Sequence, residues 1–247
     1  MADSPVPADA WAQFTRSRRS VRDFLPDPVP ADLLHDVLDD ALSAPSWSNT
    51  QPYRLAVASG DVRDRISDEL CTRYDAGMRI RRGGIVDKAS FLLDRKALPD
   101  GDFHVPEKYP SDLQPRRVET GRGLYSLLGI ERDDLAARDR QMRRNFEFFG
   151  APTAIFVFVH EGLGEYSVLD AGVMLATLML SAHARGLGTC AQGALGVWAG
   201  PVRAEFEIPP ALKLICGLSI GYASDHEVND FNPGRPQVEE ILLPQRR

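Results

Sequence analysis

Residues Arg16 to Phe24 read RSRRSVRDF, which places four arginines and two serines in one short stretch of a chain whose formal net charge is −6. An acidic protein that concentrates cations in this way directs them at a local target. Guanidinium groups donate paired hydrogen bonds to oxyanions and keep their charge at every physiological pH, and a hydroxyl such as that of Ser20 adds another donor. A small anion suits this spacing; a solvated, charged helix edge is the plainer reading of the same residues. Three further segments carry polar and aromatic side chains outside any regular hydrophobic pattern: APSWSNTQPY from Ala44, GTCAQGAL from Gly188 and NPGRP from Asn232.

Composition narrows the classes. The acidic balance argues against a nucleic-acid partner and against an anionic membrane surface. Cys71, Cys190 and Cys216 are odd in number, widely spaced and without CxxC, and no leader-like segment precedes them, so a reducing, cytoplasmic setting is the expectation. His35, His104, His160, His183 and His226 are scattered and form no HExxH or Cys/His ligand set, and no metal is expected. GxGxxG, the phosphate-loop motif and GxSxG are all absent, which leaves a resident dinucleotide, a nucleotide triphosphatase and a nucleophile elbow unsupported. No membrane span is expected either: the nearest apolar run, Ala171 to Ala184, reads as a buried helix.

The elements that must position these segments follow from periodicity. Ala8 to Arg18 reads as a helix leading into the arginines, and Asp32 is placed to cap a second helix whose Leu33, Leu34, Val37, Leu38, Ala41 and Leu42 share a face. Arg54 to Ala58 alternates as a strand, and Val62 to Tyr74 reads as a helix. From Cys71 to Gly129 the pattern weakens around Gly83-Gly84, Pro99-Asp100-Gly101, Pro106, Pro110 and Pro115. Arg132 to Phe149 reads as helical. Thr153 to Val159, TAIFVFV, is a continuous apolar run suited to a central strand buried on both faces. Leu169 to Arg185 is the longest apolar helix, closed by Gly186 and Gly188, and Leu212 to Gly221 reads as another buried strand. With no repeat and no low-complexity linker, a single α+β domain over 1–247 is expected.

These segments, in this order, resemble the nitroreductase superfamily of FMN-dependent oxidoreductases: the arginine stretch, then APSWSNTQPY, then ARGLGTCAQGAL, then NPGRP. NFEFFGAPTAIFVF and GLGTCAQGALGVW are most similar to its nitrobenzoate-reductase-like branch. The resemblance runs from about Phe14 to Leu243. It implies a central mixed, mostly antiparallel sheet flanked by helices, and an intertwined homodimer with a flavin at each of two equivalent sites, contacted by both chains. Ala171, Gly172, Ala176, Ser181 and Ala182 suit close helix packing across such an interface, although packing within one subunit would give the same pattern.

By position, the resemblance implies that Arg18, Ser20 and Arg235 contact the FMN phosphate. Arg19 lies by the ribityl chain and Arg22 near flavin N1 and O2, where positive charge favours the reduced, anionic ring. Pro233 stands where some relatives carry a second basic residue, which places more weight on Arg18 and Arg235. Pro45, Ser46 and Asn49 match residues lining the ring edge and ribityl chain, and Cys190, Ala191, Gln192 and Gly193 match the stretch that crosses the flavin, with the backbone N–H of Gln192 donating to N5. Asn145 matches a ribityl contact, with Gln141 as the competing position. Cys190 reads as a small buried hydrophobe rather than a nucleophile.

Trp47 and Ser48 fall where relatives approach substrate; ordinary packing is the alternative for the indole. Residues 71–129 correspond to a variable lid, in which Phe103, His104, Tyr109, Arg116, Arg117 and Tyr125 are candidate substrate contacts. The implied activity is ping-pong hydride transfer through flavin N5, from NADPH or NADH as a transient donor to a small-molecule acceptor such as a nitroaromatic. The cofactor carries the chemistry, so no protein acid or base is required for hydride transfer. Reductive dehalogenation of halophenols, quinone or enone reduction, and non-catalytic flavin binding remain alternatives on the same scaffold.

Overall fold

A computed structural model describes residues 6–82, 97–106 and 108–246. Residues 83–96 of the expected lid, Gly83-Gly84 included, lie outside the described residues. Four strands form one sheet in the order β1-β2-β4-β3: β1 Tyr53–Ser59, β2 Thr153–His160, β3 Gly188–Gln192 and β4 Leu212–Gly221. Every adjacent pair is antiparallel, with Tyr53 opposite Val159, Thr153 opposite Ile220 and Gln192 opposite Gly217. Among the described residues, parallel pairing is limited to a single bridge from Ser20 to Thr189. This is an α+β fold.

Strand β2 lies inside the sheet, and every residue from Thr153 to Val159 is buried. Alternation divides the strand between two cores. Ala154, Phe156 and Phe158 pack with Ile66 and Leu70 of helix α3 (Gly60–Arg82) and with Phe146, Phe148 and Leu195. Ile155, Val157 and Val159 pack on the other face with Val37 and Ala41 of helix α2 (Ala31–Leu42) and with Met174 and Leu178 of the helix Glu165–Ala184. Burying each large side chain contributes about 1.5–3 kcal/mol.

Several elements differ from the sequence expectation. Pro30, not Asp32, occupies the cap position of α2; the Asp32 carboxylate accepts from the neighbouring Leu33 N–H, within the first turn. Helix α3 continues past Tyr74 to Arg82, and Cys71 and Tyr74 belong to the core rather than to a lid. A regular helix, α4 (Gln114–Leu127), follows within the stretch read as irregular. The helix expected over Arg132 to Phe149 is reduced to α5 (Leu135–Arg143), capped by the Asp134 carboxylate, which accepts from the Ala137 N–H; beyond it the chain turns, and Phe148 and Phe149 take φ values of 54° and 55°. Strand β3, in GTCAQ, has too little hydrophobic patterning to be read from sequence.

Helix α6 (Glu165–Ala184) closes as expected on Gly186, at φ 75°. By length and a mean hydropathy of 1.4 it is apolar enough to cross a bilayer, which the sequence reading did not anticipate. Its inner face nevertheless packs on the sheet through Ala171, Met174, Leu178 and Ala182, and it holds the buried Asp170. Helices α1 (Ala8–Ser17), α7 (Gly200–Glu205) and α8 (Val238–Ile241) complete the described set.

Candidate functional site

Beyond α1 the arginine segment runs extended alongside β3. Ser20 bridges Thr189, and the Val21 N–H donates to the Thr189 carbonyl at 3.0 Å. Gly188 permits this approach, since a Cβ there would lie 2.6 Å from Val21 Cγ2. Asn229 fixes the next residues: its Oδ1 accepts from the Arg22 N–H at 2.8 Å and the Asp23 N–H at 3.2 Å, while its Nδ2 donates to the Asp23 carbonyl at 2.8 Å. Burial pushes the Asp23 carboxyl up, but bonds from Ser224 and Arg144 outweigh it and hold the group below its ordinary value.

Among the described residues, no carboxylate pairs with Arg18, Arg22 or Arg235. Arg22 donates to the Ser20 carbonyl at 3.3 Å and lies over the Phe231 ring, 5.7 Å from its centroid. Arg235 reaches only the carbonyls of Pro233 and Gly234. Arg19 faces Asp230 at 3.7 Å in a loose, exposed pair of little energetic weight. The same segment lies close to β3 in electrostatic terms: burial pushes the Cys190 thiol to about 11, against an opposing pull from Arg22 and Arg18. A thiol protonated at neutral pH is packing rather than a nucleophile.

The end of β3 is locked from behind. The Ser219 hydroxyl donates to Gln192 Oε1 at 2.5 Å, and Gln192 Nε2 donates to the Asn145 carbonyl at 2.8 Å. Asn145, rather than its competitor Gln141, is thus the residue brought to the strand end. Ala191 is exposed on the opposite side of the strand, and a Cβ built on Gly193 meets nothing within 4 Å among the described residues. Unpaired guanidiniums beside a bare backbone corner fit a phosphate joined to a flat, electron-rich ring, so the residues present suit FMN.

Pro45, Ser46, Trp47, Ser48 and Asn49 lie elsewhere. Their loop is anchored at Asp170, near the start of α6, where the Trp47 N–H donates to the carboxylate at 3.0 and 3.1 Å. The indole, half exposed, packs edge-on against Tyr166 rather than in the core, with centroids 3.8 Å apart. Arg18 instead adjoins the other end of α6: Ser17 Oγ is 2.7 Å from His183 Nε2, whose pKa is lowered by burial and by the Arg18 charge. Residues 170 and 183 are separated by about 20 Å at 1.5 Å rise per residue. The Trp47 anchor and the Ser17 contact therefore fall near opposite ends of α6.

The candidate lid contacts are dispersed. Phe103 and Tyr109 are exposed, Arg117 stacks over Tyr109, and Arg116 is occupied by Glu240 at 2.8 Å. What sequence reading did not find is how the segment around Asp100–Asp102 is fastened. The Asp100 carboxylate binds Arg73 and the Gly200 N–H, the Asp102 carboxylate binds Arg203 and the Leu214 N–H, and the Gly101 N–H donates to the Val197 carbonyl at 2.9 Å. Proline and glycine signalled a break there; nothing signalled a clamp beside Gly193–Gly196. Ser219, Asn229 and Asp170 were missed as well. A cleft of about 600 Å³ lined by Tyr74, Met78, Arg79, Arg82 and Asp139 contains none of the expected site residues.

The fold and this arrangement define a flavin-reductase scaffold, and residues 15–222 match the model described as the Nitroreductase family; the chain belongs to that family. It is 34% identical over 232 residues to the 4-nitrobenzoate reductase of Pseudomonas putida, covering 94% of this chain and 93% of that one. It is also 34% identical over 219 residues to nitroreductase NfnB of Mycolicibacterium smegmatis, covering 88% and 85%. Among solved structures, the FMN-dependent nitroreductase NfnB from Mycobacterium smegmatis in complex with NADPH superposes with a TM-score of 0.82 at 33% identity, covering 97% of this chain and 99% of that one.

Proposed function

We propose that this protein is an FMN-dependent NAD(P)H oxidoreductase that reduces nitroaromatic or related electron-poor acceptors, and that it works as a cytoplasmic homodimer. The observation that carries the reading is the arginine segment laid along β3, with Arg18 and Arg22 free of carboxylate partners among the described residues. Family membership and relatives named as nitroreductases support it.

FMN, held by the residues below, would supply two-electron hydride chemistry between a nicotinamide donor and the acceptor. The residues of the chain bind and orient. Arg18, Ser20 and Arg235 hold the phosphate, with Arg19 by the ribityl chain. Arg22 sets positive charge against the N1 and O2 edge, which favours the anionic ring. The Gln192 N–H serves as donor at N5; Ser219 and Asn145, by fixing the Gln192 side chain, keep that strand end from turning away. Cys190, Ala191 and Gly193 line the crossing.

Because Pro45, Ser46 and Asn49 stand at the far end of α6 from Arg18, each site is completed by the loop of a second copy. That loop also brings Trp47 and Ser48 toward the acceptor. The chain acts as one flavin-binding unit in which part of 71–129 serves as the lid, contributing Phe103, Tyr109 and Arg116 to acceptor contact once Arg116 is released from Glu240.

Anaerobic addition of NADPH or NADH to the flavin-loaded protein tests the reading: the flavin absorbance band bleaches and returns on adding nitroarenes. A spectrum unmoved by either nucleotide sinks it, and reoxidation by quinones or halophenols alone reassigns the acceptor. Arg18→Ala and Arg235→Ala should each weaken FMN binding by about tenfold or more, the worth of a charge-assisted hydrogen bond. Full flavin retention in both variants would place the phosphate elsewhere.

A further inference from the structure

The loop following α2 is unusual in its backbone. Ser48, Asn49 and Gln51 take φ values of 49°, 55° and 39°, left-handed conformations that non-glycine residues hold only where surrounding contacts impose them. The loop supplies some of those contacts itself: the Asn49 N–H donates to the Ser46 carbonyl at 3.0 Å, the Thr50 N–H to the Trp47 carbonyl at 3.1 Å, and the Gln51 N–H to Ser46 Oγ at 3.0 Å. From outside, Asp170 on α6 receives the Trp47 N–H through both carboxylate oxygens.

Asp170 is 5% exposed, and among the described residues no cation pairs with it. A buried carboxylate directed at one backbone N–H is costly, and here it interrupts a helix face otherwise given to Ala171, Met174 and Leu178. Beside it, the Tyr53 hydroxyl is buried with no hydrogen-bond partner among the described residues, and the phenol pKa is raised by burial and then by the Asp170 charge. Asp170 and Tyr53 are both withdrawn from solvent, and a bond from the Trp47 N–H to such a carboxylate is stronger than it would be in water.

We infer that Asp170 is a positioning residue, holding the Pro45–Asn49 loop in its left-handed form so that the loop meets the flavin edge of the opposite protomer. This rests on the flavin reading above. Removing the carboxylate frees the loop to relax toward ordinary backbone angles and draws Ser46 and Asn49 away from the cofactor and Trp47 from the acceptor.

The experiment compares Asp170→Ala and Asp170→Asn with the unaltered protein, measuring FMN affinity by fluorescence titration of flavin-stripped protein, KM and kcat for a nitroarene, and thermal midpoint. Asp170→Ala should weaken FMN about tenfold and raise KM more than it lowers kcat, whereas Asp170→Asn, whose amide oxygen still accepts from Trp47, should restore both. Wild-type FMN affinity and KM in Asp170→Ala, even with a lowered thermal midpoint, overturn the inference. So does an Asp170→Asn protein as impaired as Asp170→Ala. If the alanine variant does not fold, the asparagine variant decides alone: near-native affinity supports the inference and a tenfold loss refutes it. Failure of the unaltered protein to bind FMN would instead refute the flavin reading.

Discussion

Burial holds His183 below the ordinary histidine range, and the Arg18 guanidinium pushes it lower still. A phosphate dianion drawn to Arg18 would offset that charge, so FMN binding should raise the His183 pKa. The sign follows by linkage: a ligand that raises a pKa takes up protons between the two values, so FMN binds more tightly as pH falls through that window. Histidine NMR titrations with and without FMN measure this directly; an unmoved or lowered pKa would separate the phosphate from Arg18. At this scale the sequence revealed what is contiguous. Arg18, Ser20, Arg22 and Gln192 fall within short motifs, while Asp170, Asn229 and Ser219 act on partners 123, 207 and 27 positions away, and no local spacing reports such contacts.

Among elements, the clamp at Asp100–Asp102 fixes how that segment meets the turn after β3, the proposed flavin corner. A Cβ on Gly101 would fall 2.1 Å from the Gly196 carbonyl oxygen, and backbone oxygen cannot step aside as a side chain does. Gly101→Ala should therefore lower stability by about 1–3 kcal/mol, as overpacking does, and weaken FMN binding by displacing the turn after Gln192. Gly77→Ala, in the C-terminal part of α3 where nothing among the described residues lies within 4 Å, should be neutral or stabilising by up to about 1 kcal/mol. Urea denaturation of both variants checks this, and equal midpoints would deny the clamp its role. Strands β2 and β4 were legible because burial on both faces leaves an unbroken apolar signature. Helix α4 and the end of α3 were not, since charged, partly exposed helices lack that contrast, and β3 is built from small residues chosen for close approach rather than for hydrophobicity.

For the molecule as a whole, α6 acts as a spacer. The arginine segment adjoins one end and the Trp47 loop the other, so in the homodimer proposed above the two groups of residues that cooperate at one flavin belong to different copies of the chain. Two damaged genes could then repair one another. Arg18→Ala and Asn49→Ala should each leave a homodimer with two defective sites, one lacking its phosphate cation and the other its ring-edge contact. Co-expressed, they form a mixed dimer in which both lesions collect in one site, leaving the other wholly native. Differently tagged chains purified as the mixed species should regain about half of the wild-type flavin content and activity, as two half-sites on one spacer require. Mixed dimers no better than their parents would mean that each chain builds its site unaided. A lesion in this protein would accordingly be recessive or rescued according to which end of one helix it strikes.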